Sequence, residues 1–351
     1  MFAQSLGIDV AGKAFRVCLK IRRTDGQVKI KGSRKFSNTP KGFAALLKWV
    51  TSKQTSDDPM RAVMEATGVY YESLAYFLHE QGWRVFVLLP NRIKGYFKFL
   101  NLKSKTDKIE AAGLAELGIN HNLPTWEPAS PQMYSLKRLC RERNTLIDEK
   151  TVISNRLHAE KSCKTPDRGT VRRLKQLIRL IDKQVKEVEQ DLSQGLEQDP
   201  ELKQRIDNIC QVKGLGWITV LCIIAETNGF KLVTHKSQLV SYAGYDVVER
   251  QSGSTINGKT RISKKGNRHI RRALHFPALS VVKYHDEFTN LYNRVYDRTK
   301  IKMKGYVGVQ RKLLVLIYTL YKKNEAYDPK YAQRNEDNSR SRQGTMPAYT
   351  G

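Results

Sequence analysis

Apolar and polar residues alternate along the first part of the chain with the period of strands. Leu6, Ile8 and Val10 form one run, Phe15-Arg16-Val17-Cys18-Leu19-Lys20-Ile21 a second, and Val28 to Phe36 a third. Gly12-Lys13 and Asp25-Gly26 lie between them and suit tight hairpin turns. The period then lengthens. Asn38 or Thr39 before Pro40 is a helix-start signal, and Phe43, Leu46, Leu47 and Val50 follow at helical spacing. Ala62-Val63-Met64 predicts a fourth strand. Tyr71, Leu74, Phe77 and Leu78 predict a helix stopped by Gly82, and Val85 to Leu89 a fifth strand ended by Pro90. Three antiparallel-type strands, then helix, strand, helix, strand and more helix, predict an α/β domain of ribonuclease-H-like shape over residues 1–125.

From about residue 130 the pattern changes. Leu136, Leu139, Leu146, Ile153 and Leu157 sit on a heptad-like seam interrupted by Arg143 and Lys150. After a Pro166-Asp167-Arg168-Gly169 turn, Leu174, Ile178, Ile181, Val185, Val188 and Leu192 repeat at alternating fours and threes. Residues 126–200 are therefore expected to form an antiparallel coiled-coil linker, closed within the chain or shared with a second one. Residues 201–325 are expected to be a mostly helical C-terminal domain. There Val212 to Trp217 opens an apolar helix running to Glu226, a glycine-rich loop spans 244–266, a helix from Asn267 is kinked by Pro277, and Val309 to Tyr321 is a core helix. Gly214-Leu215-Gly216 reads equally as a plain helix start or as a helix-hairpin-helix turn whose amides hold a phosphate. Residues 326–351 lack apolar periodicity and are expected to be a disordered tail.

Charge narrows the partners. Lys and Arg number 62 against 34 Asp and Glu, a net +28 over 351 residues. Such an excess repels itself unless a polyanion neutralises it, and phosphate contacts by Lys and Arg supply most non-specific nucleic-acid affinity. No run approaches a membrane span, and Met1 to Leu6 lack the layout of a signal peptide. Five scattered cysteines (Cys18, Cys140, Cys163, Cys210, Cys222), none in a CxxC pair, argue against zinc and against a disulfide framework. A cytoplasmic, nucleoid-associated protein is expected.

Two constellations carry candidate chemistry. Asp9 stands inside an apolar strand and Glu65 at the end of another; a charge there is costly unless paired or metal-bound. In the strand order above the first and fourth strands are able to neighbour one another. Asp107 and Glu110 are i and i+3 on a helix and share a face. Alone they read first as an ordinary exposed pair. Taken jointly, four oxygen donors from two strands and one helical face suit octahedral Mg²⁺, and two such ions clamp the attacking and leaving oxygens of a phosphodiester.

The second constellation is Ser252-Gly253-Ser254 to Lys259, leading to Ser263-Lys264-Lys265-Gly266-Asn267-Arg268. A serine beside glycine in a flexible loop comes close to a phosphate, either as a nucleophile or only as a contact. Lys259, Arg261, Lys264, Lys265, Arg268, Arg271 and Arg272 are the candidate nucleic-acid-binding residues, suited to stabilising charge in phosphoryl transfer. Arg268, Arg271, Arg272 and His275 occupy the polar face of the helix from Asn267.

Gly7-Ile8-Asp9-Val10, Met64-Glu65-Ala66-Thr67-Gly68, Lys105 to Ala111 and the Ser252-Gly253 to Gly266-Asn267 stretch together resemble the bacterial insertion-sequence transposases with a DEDD motif, the one-ten family of bridge-RNA-guided recombinases. The resemblance covers residues 5 to about 325, with the motifs in the family's order. It implies a RuvC-like N-terminal domain, a coiled linker and a C-terminal transposase domain bearing a serine nucleophile. By the same resemblance Asp9, Glu65, Asp107 and Glu110 are the metal-binding acids and Ser252 the nucleophile, ahead of Ser254. The implied partners are donor and target DNA, a structured guide RNA, and further copies of the chain as dimer and tetramer. Glu110 departs from the family's usual Asp, a side chain one methylene longer.

Three other readings stand beside strand exchange. A metal-dependent endonuclease or junction resolvase would use the acids for hydrolysis and the serine loop only for binding. A site-specific DNA invertase would use the same chemistry. A non-catalytic nucleic-acid scaffold would have degenerate acids.

Overall fold

The computed structural model describes residues 4–54, 58–101, 104, 106–252 and 256–329, with backbone only for 250–252 and 256–259. The chain divides into two units, Met1–Pro128 and Ala129–Gly351.

In the first unit, the alternating runs become β1 (Gln4–Val10), β2 (Ala14–Arg22) and β3 (Val28–Ser37), a meander of antiparallel pairs. Helix α1 (Pro40–Thr51) begins where Thr39 accepts from the Gly42 amide, with Pro40 supplying a helical φ at no hydrogen-bond loss. It returns the chain to β4 (Arg61–Glu65), which pairs parallel with β1; α2 (Glu72–Glu80) then leads to β5 (Arg84–Leu88), parallel with β4. The sheet order is β3-β2-β1-β4-β5. This is the mixed sheet expected from the pattern, with the first and fourth strands adjacent.

Strand alternation sends Leu6, Ile8, Val10, Ala62 and Met64 to one face, packed with Phe43, Leu46, Leu74 and Leu78 of α1 and α2. Val63, Phe86 and Leu88 face the other way. There they meet Ile93 of α3 (Pro90–Phe99) and Leu114 and Leu117 of α4 (Asp107–Asn120).

Among the described residues, the second unit is helical apart from one hairpin. Helices α5 (Pro131–Ser162) and α6 (Arg168–Glu197) run antiparallel. Arg143 and Lys150, which interrupt the apolar seam of α5, reach Glu189 and Asp182 on α6 at 2.6 and 2.5 Å. Leu174, Ile181, Val188 and Leu192 are the buried seam of α6. The base of this arm, from Leu136 and Cys140 to Leu192 and Leu196, joins the main core. That core includes α7 (Pro200–Cys210), α8 (Trp217–Glu226), α9 (Lys236–Ala243) and the later helices.

Two expectations change here. The glycine-rich stretch is not a loop throughout: it holds a hairpin of β6 (Val247–Ser252) and β7 (Ile256–Ile262), paired antiparallel. Val247, Val248 and the alternating polar residues on both arms are compatible with a ladder exposed to solvent, where no apolar stripe announces it. The single kinked helix is two, α10 (Arg268–Ala273) and α11 (His275–Val281). Pro277 has no amide to give the Ala273 carbonyl, so the helix divides one residue beyond it, at Leu274. Helices α12 (Asp286–Thr299) and α13 (Lys302–Lys323) complete the unit, with Val309, Leu313, Leu314 and Ile317 buried. Of the tail expected to be disordered, residues 330–351 lie outside the described residues, as do Ser254 and Lys105.

Candidate nucleic-acid processing sites

The position of the acids follows from the strand register. The β1–β4 ladder pairs Leu6 with Ala62, Gly7 with Val63 and Ile8 with Met64; the next residue on each strand is Asp9 and Glu65. Both strands run the same way, so the two carboxylates stand at one end of the sheet. Alternation also puts them on one face, with Ser5, Gly7 and Val63, which is the face covered by α4.

Helix α4 lies against that face very closely. A Cβ on Gly7 would fall 2.0 Å from the Ala111 carbonyl oxygen and 2.3 Å from the Ala115 nitrogen; one on Gly118 would fall 2.2 Å from Ser5 Oγ and 2.6 Å from Val63 Cγ2. Ser5 therefore meets residue 118 while Gly7 meets 111–115, so α4 runs opposite to β1. Its first turn, with Asp107 and Glu110, lies toward the end of the sheet that carries Asp9 and Glu65.

Thr106 caps that turn by accepting from the Ile109 amide at 3.3 Å, and the helix dipole favours acids there. The other end of α4 is held by Arg61, whose Nε and Nη2 donate to the Gly118 and His121 carbonyls at 2.9 and 3.2 Å. Burial, with a contribution from Arg84, lowers the Arg61 guanidinium to about 10. Lys20 pairs with Glu116 at 2.6 Å and tethers α4 to β2.

Asp9, Glu65 and Glu110 are half-buried and Asp107 is exposed. Among the described residues no three carboxylates, histidines or cysteines are gathered tightly enough to hold a metal ion. In kind, the donor set is all oxygen, which suits a hard divalent cation.

Ser252 is the last residue of β6 and pairs with Ile256 across the hairpin tip, while the base is the Val247–Ile262 pair. Five strand steps put the serine roughly 16 Å from the base. The base is fastened to the helical body. Ser263 donates its amide to the Asp246 carbonyl at 2.7 Å, and Arg271 Nη1 donates to the Ala243 and Gly266 carbonyls at 2.7 and 3.2 Å. The side chains of Ser252 and Lys259 lie outside the described residues.

Arg261, Lys264, Lys265 and Arg268 are exposed near this base. Arg271 and Arg272 are placed differently: Arg271 braces the hairpin base, and Arg272 pairs with Asp148 and donates to the Asn144 carbonyl at 3.1 Å. Both guanidinium groups are therefore engaged within the unit.

The sequence reading passed over Glu226. At the end of α8 it is 4% exposed, and Arg141 of α5 grips it through Nε and Nη2 at 2.7 and 2.8 Å. Asn267 Nδ2 donates to the same carboxylate at 2.8 Å, while its Oδ1 caps α10 by accepting from His269 and Ile270. Burial pushes the Glu226 pKa up, but the Arg141 hydrogen bonds and charge, with Asn267, overcome it and hold the group below its ordinary value. His269, half-buried, is held below the ordinary histidine value, chiefly by burial. One acid thus joins the arm, the apolar helix and the start of α10 below the hairpin. Its signal in the sequence was the same as that of Glu65, a lone acid closing an apolar run.

Two family descriptions match the chain: a DEDD transposase of IS110 over residues 6–160, and the transposase family IS116/IS110/IS902 over residues 206–293. The pilin gene-inverting protein of Moraxella lacunata is 28% identical over 332 residues, covering 92% of this chain and 97% of its own. The protein of the same name from Moraxella bovis is similar to the same extent. Among solved structures, T. thermophilus RuvC in complex with a Holliday junction substrate aligns with 32% of this chain and 90% of its own, at 14% identity and a TM-score of 0.22. A Ppx/GppA family member from Aquifex aeolicus aligns with 92% of both chains at 10% identity and a TM-score of 0.22. Scores this low establish no shared fold.

Proposed function

Because the chain belongs to the IS116/IS110/IS902 family of transposases, we propose that it cuts and rejoins DNA through a covalent bond to Ser252, assisted by Asp9, Glu65, Asp107 and Glu110. The observation that carries this reading is the convergence of Asp9 and Glu65 on neighbouring parallel strands, on the face and at the end where α4 begins with Asp107 and Glu110. Those four acids are the residues suited to hold Mg²⁺. When bound, that ion supplies positive charge at the scissile phosphate.

In the step itself, the Ser252 oxygen attacks phosphorus, the bond from phosphorus to the sugar oxygen breaks, and the serine proton ends on the departing hydroxyl. The phosphoserine ester keeps the energy of the broken bond. Attack by a hydroxyl of another strand then reseals DNA and frees the serine. Exposed Arg261, Lys264, Lys265 and Arg268 at the hairpin base, together with Lys259, hold the DNA backbone nearby. The +28 charge and the family resemblance support a structured guide RNA as a second polyanion, and dimers or tetramers as the working assembly. Inversion of a DNA segment is a second outcome of the same chemistry, favoured by the pilin gene-inverting relatives that match nearly end to end.

The test incubates full-length protein with Mg²⁺ and element-end DNA, with and without co-expressed RNA, and looks for a protein–DNA adduct on a denaturing gel. An adduct lost in Ser252→Ala and Asp9→Ala but kept in Ser254→Ala is expected. Cleavage without an adduct, surviving Ser252→Ala, would leave a metal-dependent nuclease instead.

A further inference from the structure

The outer face of α6 has a charge pattern that folding does not explain. Arg168, Arg172, Lys175, Arg179 and Lys186 fall within about 60° of one another around the helix axis. All five are exposed, and no acid stands between Arg168 and Ile181. Of the acids in the turns around Lys186, Asp182 and Glu189 pair with Lys150 and Arg143 of α5, and Glu187 with Lys183. Among the described residues none of the five stripe cations has an ion-pair partner. Like charges at i, i+3 and i, i+4 repel and weaken a helix, so the stripe detracts from stability in the isolated chain.

The first four cations, with Pro166, Val171 and Gln176, also line a shallow hollow of about 440 Å³. From Arg168 to Lys186 the stripe is about 27 Å long, the rise of roughly eight base pairs. It carries no aromatic side chain, so it has no platform on which unpaired bases stack. What it offers is a row of cations at one level, matched to a regular row of phosphates.

We propose that the outer face of α6 is a second binding site, which takes the backbone of duplex DNA without reading its sequence. It is distinct from the basic residues at the hairpin base. The proposal rests on the chain acting on DNA, and on no detail of the serine chemistry. The arm carries the stripe away from the core: Cys140, near its base, and Ser162, at its tip, are about 33 Å apart along α5. DNA held there is flanking duplex, whose capture steadies the complex by adding phosphate contacts.

The test compares full-length protein with the variant Arg168→Gln/Arg172→Gln/Lys175→Gln/Arg179→Gln, using a non-specific DNA duplex and an RNA duplex of equal length. The slope of log affinity against log salt for DNA should fall by about 3 to 4, and affinity at moderate salt by roughly tenfold or more. Arg172→Gln/Arg179→Gln alone should give about half the slope change, and Lys183→Gln, whose lysine pairs with Glu187, little change. Glutamine is a good helix former, so the thermal midpoint should not drop. The Ser252 adduct on a short, saturating DNA end should survive in the quadruple variant, which separates failure of this site from failure of the serine mechanism. An unchanged DNA slope in both stripe variants would overturn the proposal, and so would a loss confined to the RNA duplex.

Discussion

Two regions of this molecule place acids at or near the ends of apolar runs, and they hold them in different settings. Asp9, next to last in β1, and Glu65, last in β4, stand half-buried at the same end of two parallel strands, on a face shared with the first turn of α4. Glu226 ends α8, is nearly inaccessible, and is gripped by Arg141 and Asn267 of the same unit. A buried carboxylate with its own guanidinium has its charge balanced by the fold. Asp9 and Glu65 instead stand side by side at one end of the sheet, less deeply buried, on the face where α4 begins with Asp107 and Glu110. The two settings differ in depth and in company: Glu226 is nearly inaccessible with one dedicated guanidinium, while Asp9 and Glu65 are half-buried beside a second acid-bearing element.

This contrast is breakable at several points. The largest effect belongs to Asp9→Asn, which should lower strand exchange by about 10²- to 10³-fold while leaving the thermal midpoint near wild type. A midpoint that collapsed together with activity would make Asp9 a structural acid like Glu226. Next is Arg141→Gln. Removing the partner of a buried carboxylate typically costs about 3–5 kcal/mol, and here about 2–3 is expected because the Arg141 side chain is 45% exposed. Chemical denaturation reads this directly.

The pH dependence sharpens the same point. The folded-state pKa of Glu226 lies below its unfolded value, so the pair stabilises the fold fully above the unfolded value and progressively less as pH falls through the folded one. In Arg141→Gln burial acts with less opposition and raises the Glu226 pKa, so acid unfolding should begin at higher pH than in wild type. An unchanged acid-unfolding midpoint would remove Glu226 from its bracing role.

A smaller effect is expected at Gly7→Ala. The new methyl meets the backbone of α4, which has to shift, at about 1–3 kcal/mol. Because α4 carries Asp107 and Glu110, activity should fall by more than stability alone explains, measured at a temperature where the variant is fully folded. Lys150→Ala should matter least. Its pair with Asp182 is solvent-accessible on both sides, so the loss should stay below about 1 kcal/mol in a denaturant titration.

Much of the first unit was legible from periodicity. Strands from Leu6 to Phe36, the Thr39 cap, and the strand–helix–strand return through Val63 and Val85 all appear where the pattern puts them. Strands covered on both faces, such as β4 and β5, read as short apolar runs bounded by turn signals, and strands with one open face read as alternation; both patterns are readable. The hairpin at 247–262 was not readable. Its residues are mostly polar on both sides, so nothing in their order separates a solvent-facing ladder from a loop. Its effect on the site is large. It carries Ser252 to the tip of the hairpin, five residues along β6 from the base.

The sequence by itself determined which residue types are present and how they are spaced: the acids at 9, 65, 107 and 110, the Ser-Gly stretch, the +28 charge and the apolar seams of the arm. These are local properties, set by neighbours within a turn or a strand. Tertiary structure alone decided what those residues face. Register made Asp9 and Glu65 adjacent across 56 positions of chain. The missing side chains of Gly7 and Gly118 let α4 lie antiparallel to β1 and bring its first turn to the same end. Packing of α5 on α8 and α10 turned Arg141, Arg271 and Arg272 inward as braces, while the outer face of α6 stayed open. Charge is counted along the chain, but what it does depends on which other charges the fold brings within a few ångströms of it.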